Sequence, residues 1–308
     1  MPLFPKGIGR AVAAVVLGAV LAGCASKPRP VEPVVPPIAV APVPKVPPKV
    51  GLALGGGAAR GFAHVGVIQV LEEAGIKPAL VVGTSAGSLV AALYASGRNG
   101  QQLQAVAIEM DEAAFADWTL PLFNRGLLRG EALARYVNTQ VGNRLIENMA
   151  LPLGIVATDL RSGEGALFRR GDTGMAVRAS SAVPAVFLPV RIGSQEFVDG
   201  GLVSPVPVRY ARQMGAEVVI AVDISSAPDG NPSGDQLQIL LQTFAIMGKS
   251  INAWELKEAE VVVRPQLRGM GSGDFTGKQR AIQAGRAAMT AALPQLRAAM
   301  EGKAKAAL

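Results

Sequence analysis

Three short stretches of this chain bring together residue types able to do chemistry. The first is Gly83-Thr84-Ser85-Ala86-Gly87, which fits G-x-S-x-G, the pattern of a serine presented on a sharp turn between a strand and a helix. A side chain at Gly83 or Gly87 would crowd that turn, and a helix starting after it would aim amides and positive dipole at developing negative charge. The second is Gly55-Gly56-Gly57-Ala58-Ala59-Arg60-Gly61, a run of backbone N–H groups with no side chains in the way. Such amides can stabilise an oxyanion, and losing one such donor costs roughly 2.7–4 kcal/mol where it has been measured. The loop could also cradle a phosphate, as a dinucleotide fingerprint does, but Arg60 stands where its last glycine belongs and no ribose-binding acid ends the second strand.

A nucleophilic serine needs a base. The chain contains one histidine, His64, one turn past the glycine loop on the apolar side of a helix pattern, where a structural role is expected. A Ser-His-Asp triad is therefore not expected, and the base should be a carboxylate. Asp199-Gly200-Gly201 supplies the best one, because two glycines let the backbone bend and bring the carboxylate to a neighbouring loop. An unperturbed Asp, with a pKa near 3.9, is a weak base toward a hydroxyl, and burial would improve the match.

These residues need a scaffold, and the hydrophobic pattern describes one. Strand-like runs start at Val50, at Leu80 to Gly83, Leu153 to Thr158, Glu217 to Asp223 and Val261 to Arg264. Helical patterns fall at Phe62 to Ala74, after Ser85 as far as Gly97, at Thr173 to Ser181, about 235–260 and about 277–300. Strands alternating with helices imply an α/β fold, a mostly parallel sheet covered on both faces. Asp111 to Arg129, with Phe115, Trp118 and Phe123, shows no regular pattern; it is either a lipid-facing loop or a segment whose aromatics pack on the core.

The first 49 residues read differently. Lys6 and Arg10 precede an apolar run, Ala11 to Ala22, too short to span a bilayer comfortably, and Leu21-Ala22-Gly23-Cys24 follows. This resembles the lipobox of bacterial lipoproteins, which implies cleavage before Cys24 and acylation of that cysteine, so residues 1–23 are expected to be a signal peptide. Ala25 after Cys24 resembles the sorting pattern for the outer membrane, so the periplasmic face of that membrane is the expected location. Residues 24–49 are rich in proline and are expected to form an extended spacer that pairs with no sheet. With Cys24 the only cysteine, no intramolecular disulfide can form. The net charge of +7 falls to +5 without the leader, since Lys6 and Arg10 go and no acid does. That excess suits an anionic lipid surface. With aromatics at 5% and no interleaved basic and aromatic patch, nucleic acid is not an expected partner.

Taken in order, GGGAARG, GTSAG and DGG resemble the motifs of the bacterial patatin-like phospholipases, as do Ala179–Val190 (ASSAVPAVFLPV) and Ser204–Val208 (SPVPV). The resemblance covers roughly Val50 to Ala291 within a hydrolase domain of residues 50–308. It implies a three-layer α/β/α fold and a Ser–Asp dyad that hydrolyses acyl esters of lipids without metal or organic cofactor. Ser85 would attack the acyl carbonyl, Asp199 would take its proton, and amides of Gly55, Gly56 and Gly57 would form the oxyanion hole. Arg60 matches the family's basic position in the loop, there to orient it or to meet a phosphate. Gly201 stands where many members have alanine. A lipid-binding envelope protein with little turnover, or a thioesterase on the same fold, are the other readings of these motifs.

Overall fold

The structure is a computed structural model that describes residues 45–111, 117, 126–226, 236–271 and 273–306. The leader, Cys24, most of the proline-rich stretch and the aromatics Phe115, Trp118 and Phe123 lie outside the described residues.

In chain order the strands are β1 (Lys45–Val46), β2 (Val50–Leu54), β3 (Leu80–Thr84), β4 (Gly126–Leu128), β5 (Leu153–Asp159), β6 (Gly165–Phe168), β7 (Ala185–Phe187), β8 (Val190–Ile192), β9 (Gln195–Asp199), β10 (Val218–Val222), β11 (Val261–Val263) and β12 (Lys305–Ala306). The helices are α1 (Ala63–Glu73), α2 (Ala86–Ala95), α3 (Gly100–Glu109), α4 (Glu131–Gln140), α5 (Thr173–Ser180), α6 (Val208–Gln213), α7 (Gln236–Glu255) and α8 (Lys278–Lys303). The main sheet runs β11-β10-β2-β3-β5-β9-β8, with β6 beside β5. Its first five strands are parallel, and β6, β8 and β9 pair antiparallel.

Each central strand is buried on both faces, as a parallel sheet between helices requires. Leu52, Leu54, Val81, Ile155 and Ile220 pack with α1, α2 and α8, while Ala53, Val82, Val156, Val219 and Ala221 pack with Val208, Tyr210, Ala211 and Leu256. The three layers expected from the sequence are therefore present. Helix α1 was expected to bury one face, yet every residue from Ala63 to Leu71 is buried. Its outer side is covered by α8 at backbone contact: a Cβ on Gly66 would lie 1.9 Å from the Ile282 carbonyl oxygen, and one on Gly285 2.0 Å from that of Ala63.

One expectation is corrected. Lys45–Val46 belongs to the stretch expected to pair with no sheet, yet it forms an antiparallel ladder with Lys305–Ala306. Prolines 44 and 47 flank this dipeptide but do not interrupt it, so both of its N–H groups remain for pairing.

Candidate active site

Strands β2, β3 and β10 end together, and the loops leaving their carboxyl ends build the site, the usual place in an open α/β sheet. At the end of β3, Ser85 takes φ +53° and ψ −124°, a backbone state that only an over-determined turn holds for a non-glycine residue. The flanking glycines are required by contact. A Cβ on Gly83 would stand 2.3 Å from the Gly87 carbonyl oxygen, and one on Gly87 would stand 2.1 Å from that of Leu54. Ser85 is the N-cap of α2, and its own N–H donates to Ser180 Oγ at 2.8 Å. Ser180 is fully buried at the end of α5, and its hydroxyl donates onward to the Val156 carbonyl at 2.5 Å.

The pairing of β5 explains how Asp199 arrives beside this turn. Ile155 and Val156 pair with both β3 and β6, while Ala157 and Thr158 pair with both β6 and β9. A strand residue has two edges, so β3 and β9 share one edge of β5, in succession. Thr84 is the last β3 residue on that edge, opposite Val156, and Asp199 is opposite Ala157, the next place along. Where Ser85 turns off the sheet into α2, β9 comes in from the other direction and ends on Asp199.

Asp199 is held at several points. Its N–H donates to the Ala182 carbonyl at 2.9 Å, its carbonyl accepts from Thr158 Oγ1 at 2.8 Å, and its Oδ1 accepts from the Gly201 N–H at 2.7 Å. Oδ2 is buried and meets no hydrogen-bond donor among the described residues. Burial pushes the carboxyl up to about 6, against the opposing influence of the Gly201 amide and the nearby Ser85 hydroxyl. That hydroxyl forms no hydrogen bond with Oδ2. Gly200 has no room for a side chain, since a Cβ would lie 2.2 Å from the Val156 carbonyl oxygen. At Gly201 a Cβ would come within 3.0 Å of Asp199 Oδ1, so glycine gives the carboxylate more room than alanine would.

The glycine loop departs from expectation in one respect. The amides of Gly55 and Gly56 are already committed, to the carbonyls of Val222 at 3.1 Å and Pro205 at 2.9 Å. Their contribution is shape: a Cβ on Gly56 would lie 3.1 Å from that of Ser85, and one on Gly55 would strike Val206 at 2.8 Å. Of the three glycines, only Gly57 has an N–H that meets no acceptor among the described residues, and the next amide, Ala58, also meets none. Ala58 has φ +48°, a second non-glycine residue in the left-handed region within the site.

His64 is fully buried, and its Nε2 lies 2.8 Å from the Gly55 carbonyl oxygen, which can only accept. Burial lowers the imidazole to about 4, outweighing that hydrogen bond, so the ring is neutral and Nε2 carries the proton. It braces the glycine loop and makes no hydrogen bond with Ser85 among the described residues. Arg60 braces the loop from the other side, donating to the Ser225 carbonyl at 2.9 Å and to Ser226 Oγ. The segment 204–205 ties these parts together. Thr84 Oγ1 donates to the Ser204 carbonyl at 2.9 Å, and Ser204 Oγ donates to Glu255 Oε1 at 2.6 Å, while the next carbonyl, Pro205, holds Gly56. Burial raises the Glu255 carboxyl above its ordinary range despite those hydrogen bonds.

A cavity of about 470 Å³ opens on Ser85. Its walls are almost entirely apolar, with Leu89, Leu93, Leu103, Val106 and Met110 on one side and Leu241 of α7 among the others. Among the described residues, no three His, Cys, Asp or Glu side chains gather as a metal site would require. Sequence reasoning singled out Ser85, Asp199 and the glycines but not Ser180, Ala58 or the cavity. Ser180 lay within the ASSAVPAVFLPV stretch, yet a serine on a helix gives no sign that its hydroxyl will meet another residue's backbone.

The family model described as patatin-like phospholipase matches residues 52–212, just over half the chain. An uncharacterized NTE family protein of Mycobacterium tuberculosis is 36% identical over 219 residues, covering 67% of this chain and 57% of that protein. Patatin-like phospholipase domain-containing protein 6 of Mus musculus is 33% identical over 216 residues, covering 67% of this chain and 15% of that protein. The chain thus spans little more than half the length of the first and a small part of the second. Among solved structures, VipD from Legionella pneumophila aligns with a TM-score of 0.48 and 15% identity, over 81% of this chain and 67% of that one. Since the matched span holds the glycine loop, the serine turn and the Asp-Gly-Gly turn, the chain belongs to the patatin-like phospholipase family.

Proposed function

We propose that the protein is a lipid acyl hydrolase of phospholipase A type working through a Ser85–Asp199 dyad. The acyl chain of the substrate lies in the apolar cavity, which places its carbonyl at Ser85. Ser85 Oγ attacks the carbonyl carbon as its proton passes to the free Oδ2 of Asp199. The carbonyl oxygen takes up the negative charge, facing the uncommitted amides of Gly57 and Ala58. Collapse breaks the ester C–O bond, and the leaving alkoxide takes the proton from Asp199. Water then gives a proton to the same carboxylate as it attacks the acyl-serine, and the acid is released as the serine regains its proton.

The observation that carries this reading is the meeting of three things at one point. A serine on a strained turn, a buried carboxyl with an unbonded oxygen and an apolar cavity all converge where β3 ends. Purified protein is expected to release fatty acid and lysolipid from phospholipid vesicles, as read by mass spectrometry. Ser85→Ala should abolish release and labelling by a fluorophosphonate. Full activity in Ser85→Ala would overturn the assignment.

A further inference from the structure

Helix α7 carries apolar side chains on two faces, and among the described residues only one of them is covered. Gly248, Asn252 and Glu255 are buried on the inner face, and Leu241 on that side lines the cavity at Ser85. The outer face, at helical spacing, bears Ile239, Ile246, Met247 and Trp254, exposed by 54%, 52%, 48% and 74%. Apolar residues all round mark a helix that is covered on both sides, yet among the described residues this face stays exposed. Thr243 and Ser250, the polar residues between them, turn their hydroxyls back onto the Ile239 and Ile246 carbonyls. The stripe is therefore drier than its sequence suggests.

Its charges point to the occupant. Within α7 the charged residues are Lys249, which is exposed, and Glu255, which is buried on Ser204. Just beyond the helix Lys257 sets its Nζ 4.1 Å from the centre of the Trp254 ring, an aromatic body with a cationic tip. An anionic lipid surface complements these lysines, and the chain's net charge of +7 adds attraction at longer range. Among the described residues no helix is long and apolar enough to cross a bilayer, so the fit is to a helix lying in the interface plane.

We propose that the outer face of α7 is the surface by which the domain seats on anionic phospholipid bilayers, beside the entrance to its own acyl cavity. The inference rests on the proposed lipid substrate for its meaning but not for its test. Trp254 is a local reporter once Trp118→Phe removes the other tryptophan, and Cys24→Ser in the full chain excludes any acyl anchor at that position. With phosphatidylglycerol vesicles, Trp254 emission should shift to the blue and be quenched by lipids brominated along the acyl chain. Phosphatidylcholine vesicles or high salt should weaken both effects. Ile246→Ser with Met247→Ser should lower partitioning by roughly tenfold or more, because two apolar side chains no longer enter the interface. Hydrolysis of a soluble short-chain ester should stay unchanged in that variant. Trp254 emission that ignores vesicles would overturn the proposal. So would an emission already blue-shifted without lipid, accompanied by a concentration-dependent dimer in sedimentation velocity. Failure of the hydrolase reading would appear separately, as short-chain ester turnover that persists in Ser85→Ala.

Discussion

At the scale of single residues, Asp199 links stability to the proposed catalysis. Its native pKa of about 6 lies above the unfolded value of 3.8, so the folded state holds this proton more tightly. The sign follows: stability from this group is fully present below about 3.8 and is lost as pH rises through about 6. The loss amounts to about 3 kcal/mol. Asp199→Asn should therefore unfold at higher denaturant than the parent at pH 8, with the difference disappearing at pH 4, while turnover is abolished. In the parent, hydrolysis should rise with pH and level off above an apparent pKa near 6, as a base that must be ionised requires. Ser180 acts through Ser85. Ser180→Ala strands a buried N–H and a buried carbonyl, at a cost of about 1–3 kcal/mol in a denaturant titration. Because the turn that aims Ser85 loosens, kcat should fall about 10- to 100-fold with KM nearly unchanged. Ser180→Thr, which keeps the hydroxyl, should recover part of the loss.

At the scale of elements, legibility followed length and burial. Strands β2, β3, β5 and β10 were readable because both faces are buried and their residues are mostly apolar. Helices α7 and α8 were readable because they are long. Strands β6, β7, β8 and β9 are short and partly exposed, so no clean alternation marks them, and β9 is the element that delivers Asp199. Helix α4 left a signal that could have been used: Leu133, Val137 and Val141 recur at i, i+4 and i+8 and are buried together. Helix α3 also did, in the Asn99–Gln102 capping box at its start. The α1–α8 contact was invisible because glycines at 66 and 285 look like helix weaknesses in a sequence and here are points of backbone approach. Gly285→Ala should force these helices apart and destabilise the protein by about 1–3 kcal/mol, measured by urea unfolding. Fluorophosphonate labelling of Ser85 should persist in the folded fraction, because the serine turn does not touch this contact.

At the scale of the whole molecule, the motifs pointed to Ser85 and Asp199, the proposed reacting pair, but only the topology explains their meeting. Ser85 and Asp199 are more than a hundred positions apart, and what unites them is an antiparallel strand taking over the β5 edge that β3 gives up. Pairing on that edge depends on the whole sheet, which no local pattern encodes. The glycine loop shows the same limit. Three glycines look equivalent in sequence, and the carbonyls of distant Val222 and Pro205 make two of their amides unavailable. The buried imidazole of His64 has a further consequence. It is the chain's only histidine, and at about 4 it is already neutral well below physiological pH, so it adds no buffering near pH 7. Among the described residues the carboxyls raised toward that region are Asp199 and Glu255, both interior and attached to the two ends of the 199–204 turn. Acidity is therefore expected to govern turnover at the proposed Ser85–Asp199 pair from within the fold, through a carboxyl rather than through the chain's one imidazole.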